Sequence, residues 1–304
     1  MSADASAMPR GVLVILNPAA RHGEAARLEP VLRELLDVRM PWRLHVTSSA
    51  REATATAAAC RDADIIVAAG GDGTVHEVVN GLMAHDAAER PALGVIPAGS
   101  GNDYAHLLGI PSAVSDAVML LAEGRRRRLD VGRCNDTWFA NAVSFGFDAK
   151  VTARAAELKV FTHRTGLSLY LRALLHVMLR DLAGHDVLIG FDGEPPAPAR
   201  VLLAVLAIGR SYGGGFRITP DAQPDDGLFD TMLLDEIGLA EALVRLPFVV
   251  TGHHTWMRPV HMGRHRSATV SSVLTLPCQI DGEVMAECCY EITLAHDAID
   301  VIVP

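Results

Sequence analysis

The 304 residues hold only five cysteines: Cys60, Cys134, Cys278, Cys288 and Cys289. They form no CxxC pair and no matching histidine pattern, which argues against a zinc site or a disulfide framework and fits a reducing compartment. Long hydrophobic runs are also missing. The most apolar stretches, Val201 to Ile208 and Leu167 to Leu179, are too short, or too interrupted by Arg172 and His176, to cross a hydrocarbon core of about 30 Å. The opening residues MSADASAMPRG contain neither a basic nor an apolar region, so they do not read as a secretory signal; their small polar character suggests a frayed terminus. Positive charge is in deficit, with 27 Lys and Arg against 36 Asp and Glu and a formal net charge of -9. Nucleic-acid binding is therefore not expected, because neutralising phosphates requires a clustered positive surface.

What remains is an apolar, cytoplasmic type of chain whose membrane contact, if any, is peripheral. Two local basic clusters offer such contact. One is Arg125 to Arg128, and the other runs from His253 to Arg266 through His254, Arg258, His261, Arg264 and His265. The histidines of this second segment lack an HExxH or other zinc-like spacing, and a solvated or membrane-facing surface suits them better.

Half of the residues are apolar, which together with the length predicts two domains with substantial cores. The first 130 residues alternate apolar runs with helical patterns. Val12 to Leu16 is followed by a helix over Ala25 to Leu36, and Trp42, Leu44 and Val46 then alternate with polar residues. Ile65 to Ala69, a helix from about Val75, Leu93 to Ile96 and a helix over Val114 to Ala122 complete a second cycle. That order predicts a parallel sheet covered by helices, with ligands at the carboxyl ends of its strands. From 131 to 304 the apolar runs Trp138 to Val143, Val201 to Ile208, Phe229 to Leu234, Val270 to Leu276 and Tyr290 to Leu294 lack regular intervening helices. They predict an antiparallel sheet or sandwich. Helices are expected only near Leu167 to Leu179 and Leu239 to Val250, and Asp192 to Pro198 reads as an exposed turn. The fold class is thus α/β followed by β.

Chemistry concentrates where the predicted strands end. Ala69-Gly70-Gly71-Asp72-Gly73-Thr74-Val75-His76-Glu77 lies directly after a buried strand and before a helix. Its glycines let backbone N–H groups approach phosphate oxygens, and the helix start adds a favourable dipole. Taken alone, the segment equally serves as a tight turn capped by Thr74. Two further strands, however, run into polar loops, Asn17-Pro18-Ala19-Ala20-Arg21-His22-Gly23 and Pro97-Ala98-Gly99-Ser100-Gly101-Asn102-Asp103. Three such loops at one sheet edge make independent structural turns the weaker account. Later, Gln223-Pro224-Asp225-Asp226-Gly227-Leu228 and Gln279-Ile280-Asp281-Gly282-Glu283 each place carboxylates around a glycine, an arrangement that also occurs in plain Asp-Gly turns.

In order along the chain, NPAARHG, GGDGTVHEVVNGL, PAGSGNDYA, YGGGF, PDDGLFD and QIDGE resemble the diacylglycerol kinase catalytic family, which includes sphingosine and ceramide kinases. The resemblance implies a nucleotide-binding α/β domain over residues 1–130 and a β-sandwich domain over 131–304, whose last strand, about 297–304, returns to the first domain. It implies ATP and Mg²⁺ as cofactors and a membrane lipid hydroxyl as acceptor, reached transiently at the inner face of the membrane; a homodimer is compatible with it. ATP phosphates would meet Gly71, Asp72, Gly73 and Thr74, with Val75 and His76 beside them. Asn17, Thr47, Glu77, Ser100, Asn102 and Asp103 would complete the nucleotide site. The usual first-loop glycine is replaced by Arg21. A structural Mg²⁺ would bind the Asp226 carboxylate and the carbonyls of Gln223 and Leu228. The general base would be Asp281, with Glu283 as alternative or partner, since phosphoryl transfer needs alignment, charge neutralisation and a proton acceptor.

Two other readings stay open. NAD kinases share the GGDGT loop, but PAGSGND and the C-terminal DGE match the lipid kinases. A catalytically silent nucleotide-binding regulator is disfavoured by the intact Asp281 and Glu283.

Overall fold

The computed structural model describes residues 11–37, 41–161 and 167–304; the reading of the opening residues as frayed lies outside them. The chain divides into two compact units. Unit 1 comprises Met1–Gly99, Leu108–Arg127 and Ile299–Pro304, and unit 2 comprises Ser100–Leu107 and Arg128–Ala298. A single boundary near residue 130 therefore needs refinement, because Ser100–Leu107 belongs with the second unit. Local bonding explains this: the Asp103 carboxylate accepts the Gly214 N–H at 2.9 Å, and Leu107 packs beside Gly209, where an added Cβ would lie 3.1 Å from it.

Unit 1 is built on strands β1 (Val12–Leu16), β2 (Trp42–Val46), β3 (Ile65–Gly70) and β4 (Ala92–Pro97). They pair in parallel in the order β4-β3-β1-β2, and Val301 of the returning C-terminal segment pairs in parallel with Leu93. Every residue of β1, β3 and β4 is buried, as expected for parallel strands covered on both faces. Helices α1 (Leu28–Leu36), α2 (Glu52–Ala59), α3 (Asp72–Leu82) and α5 (Val114–Glu123) belong to this unit, and the short α4 (Asp103–Leu107) to unit 2. Leu32 and Leu36 of α1 and Ala117, Val118 and Leu121 of α5 join one core with Val14, Leu16, Val67 and Ile96.

Two differences from the sequence expectation have physical causes. The helix expected over Ala25 to Leu36 is split: Ala20–Arg27 is a 3₁₀ segment, and Arg21, His22 and Gly23 inside it all have positive φ, at 51, 56 and 87°. Helix α2, EATATAAA, was missed because an alanine-rich helix shows no amphipathic period; it buries only Ala53 and Ala57. Its packing partner is a glycine. A Cβ at Gly81 of α3 would stand 2.5 Å from the Thr54 carbonyl and 2.6 Å from Ala57 Cβ, so the two helices approach closely only because Gly81 has no side chain.

Unit 2 contains most of β5 (Arg125–Cys134), β6 (Thr137–Phe139), β7 (Ala142–Gly146), β8 (His185–Phe191), β9 (Ala197–Ala207), β10 (Phe229–Asp235), β11 (Val260–His265), β12 (Ser267–Ile280) and most of β13 (Glu283–Val303). The strands run antiparallel in the order β11-β10-β9-β7-β12-β13, with β8 paired to β9 and β12, and β6 to β5. Phe139 stacks on Phe229, and Phe145 meets Tyr290 with its ring tilted, within the core between these strands. The turn at Asp192 and Gly193 is exposed, as its composition indicated.

The second unit is less purely β than its apolar runs implied. Besides α7 (Leu167–Arg180) and α8 (Leu239–Thr251), it has α6 (Phe147–Phe161), which buries Val151, Ala155 and Leu158 on one face. Those positions are spaced i, i+4, i+7, but the alanine among them weakened the apolar signal. Among the described residues no helix is long and apolar enough to cross a membrane.

The α2–α3 contact generates a stability prediction. Gly81→Val should destabilise the protein by about 1–3 kcal/mol through overpacking against backbone that cannot yield, read from urea unfolding midpoints; an unchanged midpoint would show that the helices are not held this closely.

Candidate active site

In unit 1 the glycine-rich segment turns straight from β3 into α3. The helix begins at Asp72, three residues before the expected Val75, because Gly71 acts as its cap residue and its carbonyl accepts the N–H groups of Thr74 (2.9 Å) and Val75 (3.1 Å). Gly73 therefore lies in the first helical turn, exposed. A Cβ at Gly71 would stand 3.0 Å from Gly99 Cα, and one at Gly70 would collide with the Thr74 side chain at 2.2 Å. The ends of β3 and β4 are thus drawn together, with Ala98 N–H donating to the Gly70 carbonyl at 2.7 Å. An eleven-residue helix starting here directs its first N–H groups and positive dipole end at the loop, the arrangement that favours a phosphate.

Asn17 joins the same place. Its side-chain amide donates to Thr74 Oγ1 at 3.2 Å, and its Oδ1 accepts the Ala19 N–H at 3.0 Å. Thr47 is buried at the end of β2, with N–H and hydroxyl both directed to the Leu16 carbonyl. Val75 and His76 are buried in α3. Glu77 turns toward α2, where its carboxylate accepts the Ala53 N–H at 3.2 Å and its carbonyl the Thr54 hydroxyl at 2.9 Å. Arg21 pairs with Glu24 at 3.0 Å on the surface.

In unit 2, Ser100 precedes Asn102, which has φ of 56°, and the buried Asp103. Asp103 reaches the YGGGF segment, whose Gly213, Gly214 and Gly215 all have positive φ, at 66, 80 and 113°. Tyr104 is buried, and burial followed by the nearby negative charge of Asp281 pushes its hydroxyl pKa well up.

The DGE turn joins β12 to β13. Both oxygens of Asp281 are engaged by backbone: Oδ2 accepts the Ala140 N–H at 2.8 Å, and Oδ1 accepts those of Asn141 and Ala142 at 3.0 Å each. Glu283 is exposed at the start of β13. Behind the turn sits buried Gln279, whose Oε1 accepts the Gly282 N–H at 2.7 Å while its Nε2 donates to Ser144 Oγ at 3.0 Å and Asp148 Oδ2 at 3.3 Å. Sequence reasoning missed Gln279, Ser144 and Asp148. The available signal was a polar residue set within otherwise apolar strands, Gln279 between Cys278 and Ile280 and Ser144 between Val143 and Phe145.

Asp148 lines an apolar cavity in unit 2, walled by Leu174, Met178, Leu203, Phe216, Met232 and Leu246 among others. Residues from α6, α7, α8 and the sheet contribute, which is why no local run of sequence announces it.

At the DDG turn, Asp226 Oδ1 accepts the Leu228 N–H at 3.0 Å, and Oδ2 is held by the Arg264 guanidinium. Arg264 also lies 3.8 Å from Asp230, whose carboxyl burial pushes up to about 6, with Asp221 adding to the effect. Gln223 is exposed and Leu228 partly so. Mg²⁺ requires open, hard oxygen donors. Here the Arg264 guanidinium holds one oxygen of the carboxylate expected to bind it, so an ion at this turn would have to displace that side chain. A separate trio, Asp130, His296 and Asp297, brings ligand atoms within 4.8 Å of one another, but buried Asp130 is occupied by the N–H groups of Gly227 and Asp297 and by His296.

The basic segment 253–266 does not form a uniform cationic surface. His254 is buried and bonded to the Ile218 carbonyl, while His261 pairs with Asp235, Arg264 with Asp226 and His265 with Asp192. Arg258 and Arg266 are exposed.

A kinase-type architecture emerges from these parts, and comparison with known proteins assigns it. Residues 11–134 match the diacylglycerol kinase catalytic domain, and residues 141–303 match the YegS C-terminal NAD kinase beta sandwich-like domain. Diacylglycerol kinase of Bacillus subtilis (strain 168) is 32% identical over 295 residues, covering 96% of this chain and 95% of the relative. That of Staphylococcus saprophyticus is 30% identical over 279 residues, covering 91% and 90%. A crystal structure of a diacylglycerol kinase from Bacillus anthracis superposes with a TM-score of 0.79 at 22% identity over 98% of this chain and 99% of that one. The fold of an Archaeoglobus fulgidus NAD kinase solved with ATP is more distant, with a TM-score of 0.52 at 14% identity over 96% and 93%. The chain belongs to the diacylglycerol kinase catalytic family, and is thereby a member of an ATP-binding kinase family.

The Asp226–Arg264 pair generates a prediction about metal. In the absence of nucleotide, millimolar Mg²⁺ should leave the melting temperature of the wild type unchanged, whereas Arg264→Ala should gain a Mg²⁺-dependent rise, since a ligand that binds only the folded state stabilises it. A clear Mg²⁺-dependent rise in the wild type would return the turn to the list of metal sites.

Proposed function

We propose that this protein transfers the γ-phosphoryl group of ATP to the hydroxyl of a membrane lipid, diacylglycerol or a close relative. The observation that carries the reading is the apolar cavity of unit 2, whose wall includes Asp148, which is joined through Gln279 to the DGE turn. A pocket of this character suits an acyl chain, and its polar edge is one glutamine side chain away from two carboxylates. Unit 1 supplies the nucleotide, with phosphates at the start of α3 near Asn17, Gly71, Asp72, Gly73 and Thr74. Mg²⁺ would arrive with the ATP phosphates, neutralising their charge when bound.

Glu283 suits the role of proton acceptor better than Asp281. Three backbone N–H groups hold Asp281, whereas Glu283 is exposed. In the proposed step the lipid hydroxyl oxygen forms a bond to the γ-phosphorus as its proton passes to Glu283. The bond from that phosphorus to the β–γ bridging oxygen breaks, and ADP leaves with the electron pair. Asp281 fixes the turn that presents Glu283.

Contact with the bilayer is better supported through α8 than through the basic segment. Helix α8 has no buried residue, and Val244 (71%) and Phe248 (41%) are exposed on it, with Trp256 (75%) shortly after. Apolar surface presented this way is characteristic of elements that lie in a membrane interface.

Two measurements test the proposal. Glu283→Gln should lower kcat for diacylglycerol about 10²- to 10⁴-fold with an unchanged melting temperature, while Asp281→Asn should lower the melting temperature as well, because its amide would meet a backbone donor. Full turnover by Glu283→Gln would remove that residue from the mechanism, and failure of the wild type to phosphorylate any lipid in a bacterial extract would end the lipid reading. Separately, Val244→Ser combined with Trp256→Ser should weaken sedimentation with vesicles several-fold; unchanged sedimentation would exclude α8 as the docking element.

A further inference from the structure

The connection between β12 and β13 is two residues long, and both have positive φ, Asp281 at 49° and Gly282 at 94°. A turn of this kind closes the hairpin at Ile280 and Glu283 and leaves the N–H groups of its two middle residues outside the ladder. Each needs a partner from elsewhere, because backbone donors withdrawn from water are costly when unpaired. Asp281 N–H donates to the Ala142 carbonyl at 3.0 Å. Gly282 N–H donates to a side chain, Gln279 Oε1, at 2.7 Å. The geometry of the turn therefore depends on how the Gln279 amide is held.

That amide is buried, at 2% exposure, and its bonds fix it one way round. A backbone N–H has nothing to accept with, so the atom facing Gly282 is the amide oxygen, and the amide nitrogen faces inward. There it donates to Ser144 Oγ at 3.0 Å and to Asp148 Oδ2 at 3.3 Å. Ser144 is the cross-strand neighbour of Gln279 in the β7–β12 pairing. Having accepted from Gln279, its hydroxyl donates onward to the same Asp148 oxygen at 2.7 Å. Every proton of the array thus points toward Asp148, which stands in the first turn of α6, directly after β7. Burial raises the pKa of that carboxyl, but its Oδ2 accepts in the neutral form as well as in the ionised one, so the polarity of the array is the same in both.

We infer that Gln279 is a positioning residue for the turn that carries Glu283, and that Asp148, by accepting two hydrogen bonds on one oxygen, sets the orientation of the Gln279 amide. The inference rests on the proposed role of Glu283 and adds the device that holds its backbone in place. Neither Gln279 nor Asp148 has to touch a substrate to do this. A side chain that met Gly282 with a donor, or met Asp148 with a second acceptor, would break the array at one end.

The polarity of the array can be reversed without altering net charge, and that supplies the test. In Gln279→Glu one oxygen still accepts the Gly282 N–H, while the other confronts Asp148 Oδ2 with no proton between them. With the full chain, ATP and 1,2-dioctanoylglycerol, this variant should lose about 10- to 100-fold in kcat with KM for ATP unchanged, the scale of loss expected from misplacing a reacting group by about 1 Å. Asp148→Asn alone should keep most of the activity, because its amide oxygen can stand where Oδ2 stood. Combining the two should bring kcat back to within about threefold of the wild type, the asparagine amide now donating toward the glutamate. Hydrogen exchange at the Gly282 amide, followed by NMR, reports the same geometry without turnover: slow in the wild type, about tenfold faster or more in Gln279→Glu, and slow again in the double variant. If Gln279→Glu does not fold, Gln279→Met, of similar length and without charge, takes its place and should show the same loss of kcat and the same faster exchange. Wild-type kcat and slow exchange in either Gln279 variant, fast exchange in the wild type, or a double variant no better than Gln279→Glu overturns the inference while leaving the kinase proposal standing. If the wild type phosphorylates no lipid, the kinase reading falls, and the exchange rates alone decide whether the array holds the turn.

Discussion

The carboxylate of Asp281 is the interaction on which the β12–β13 turn of the second unit depends. It collects the N–H groups of three successive residues, Ala140, Asn141 and Ala142, at the point where β6 has ended and β7 begins. Those groups would otherwise be left without partners at a strand start, and backbone donors removed from water must be satisfied. Asp281 N–H returns the favour by donating to the Ala142 carbonyl at 3.0 Å. The β12–β13 turn is thereby tied to the chain beside it, and the residue accepts φ of 49° to do so. Asparagine and aspartate tolerate this left-handed geometry better than most residues, and Gly282, at φ of 94°, completes the turn.

That anchoring is the part of the turn that the sequence could not convey. Two acids flanking a glycine at a strand end mark a place where chemistry is concentrated, and the order of motifs along the chain marks the family. Which acid is tied down depends on residues about 140 positions earlier in the chain, and no local pattern carries that information. The same limit applies to Arg264. Read as one of a run of cations, it belongs to a basic surface; folded, it sits against Asp226 because β10 and β11 pair in a register that sets Asp230 opposite it.

Elements with strong periodicity were legible throughout: the buried strands of unit 1, α5, α7 and α8, and the apolar cores of β9, β10 and β12. The losses came where small residues do the packing. Helix α2 buries alanines against Gly81, and α6 contributes Ala155 alongside Val151 and Leu158; methyl groups give little contrast with polar neighbours, so the 3.6-residue period fades. The cavity was invisible for a different reason, since leucines and phenylalanines that face an empty space are the same residues that face each other in a core.

Strand β13 has a consequence for the order in which the protein is assembled. Its first part belongs to unit 2, while Ile299–Pro304 completes unit 1, with Val301 beside Leu93 and the Pro304 carbonyl accepting from Arg125. All of unit 2 separates that segment from the strand it joins. As the chain leaves the ribosome, β4 must wait with an unfilled edge until the second unit has been synthesised, and contacts so distant in sequence are slow to form. The first unit, although encoded first, is the last to be finished, and its unfilled edge is where a nascent chain would need shielding from other strands.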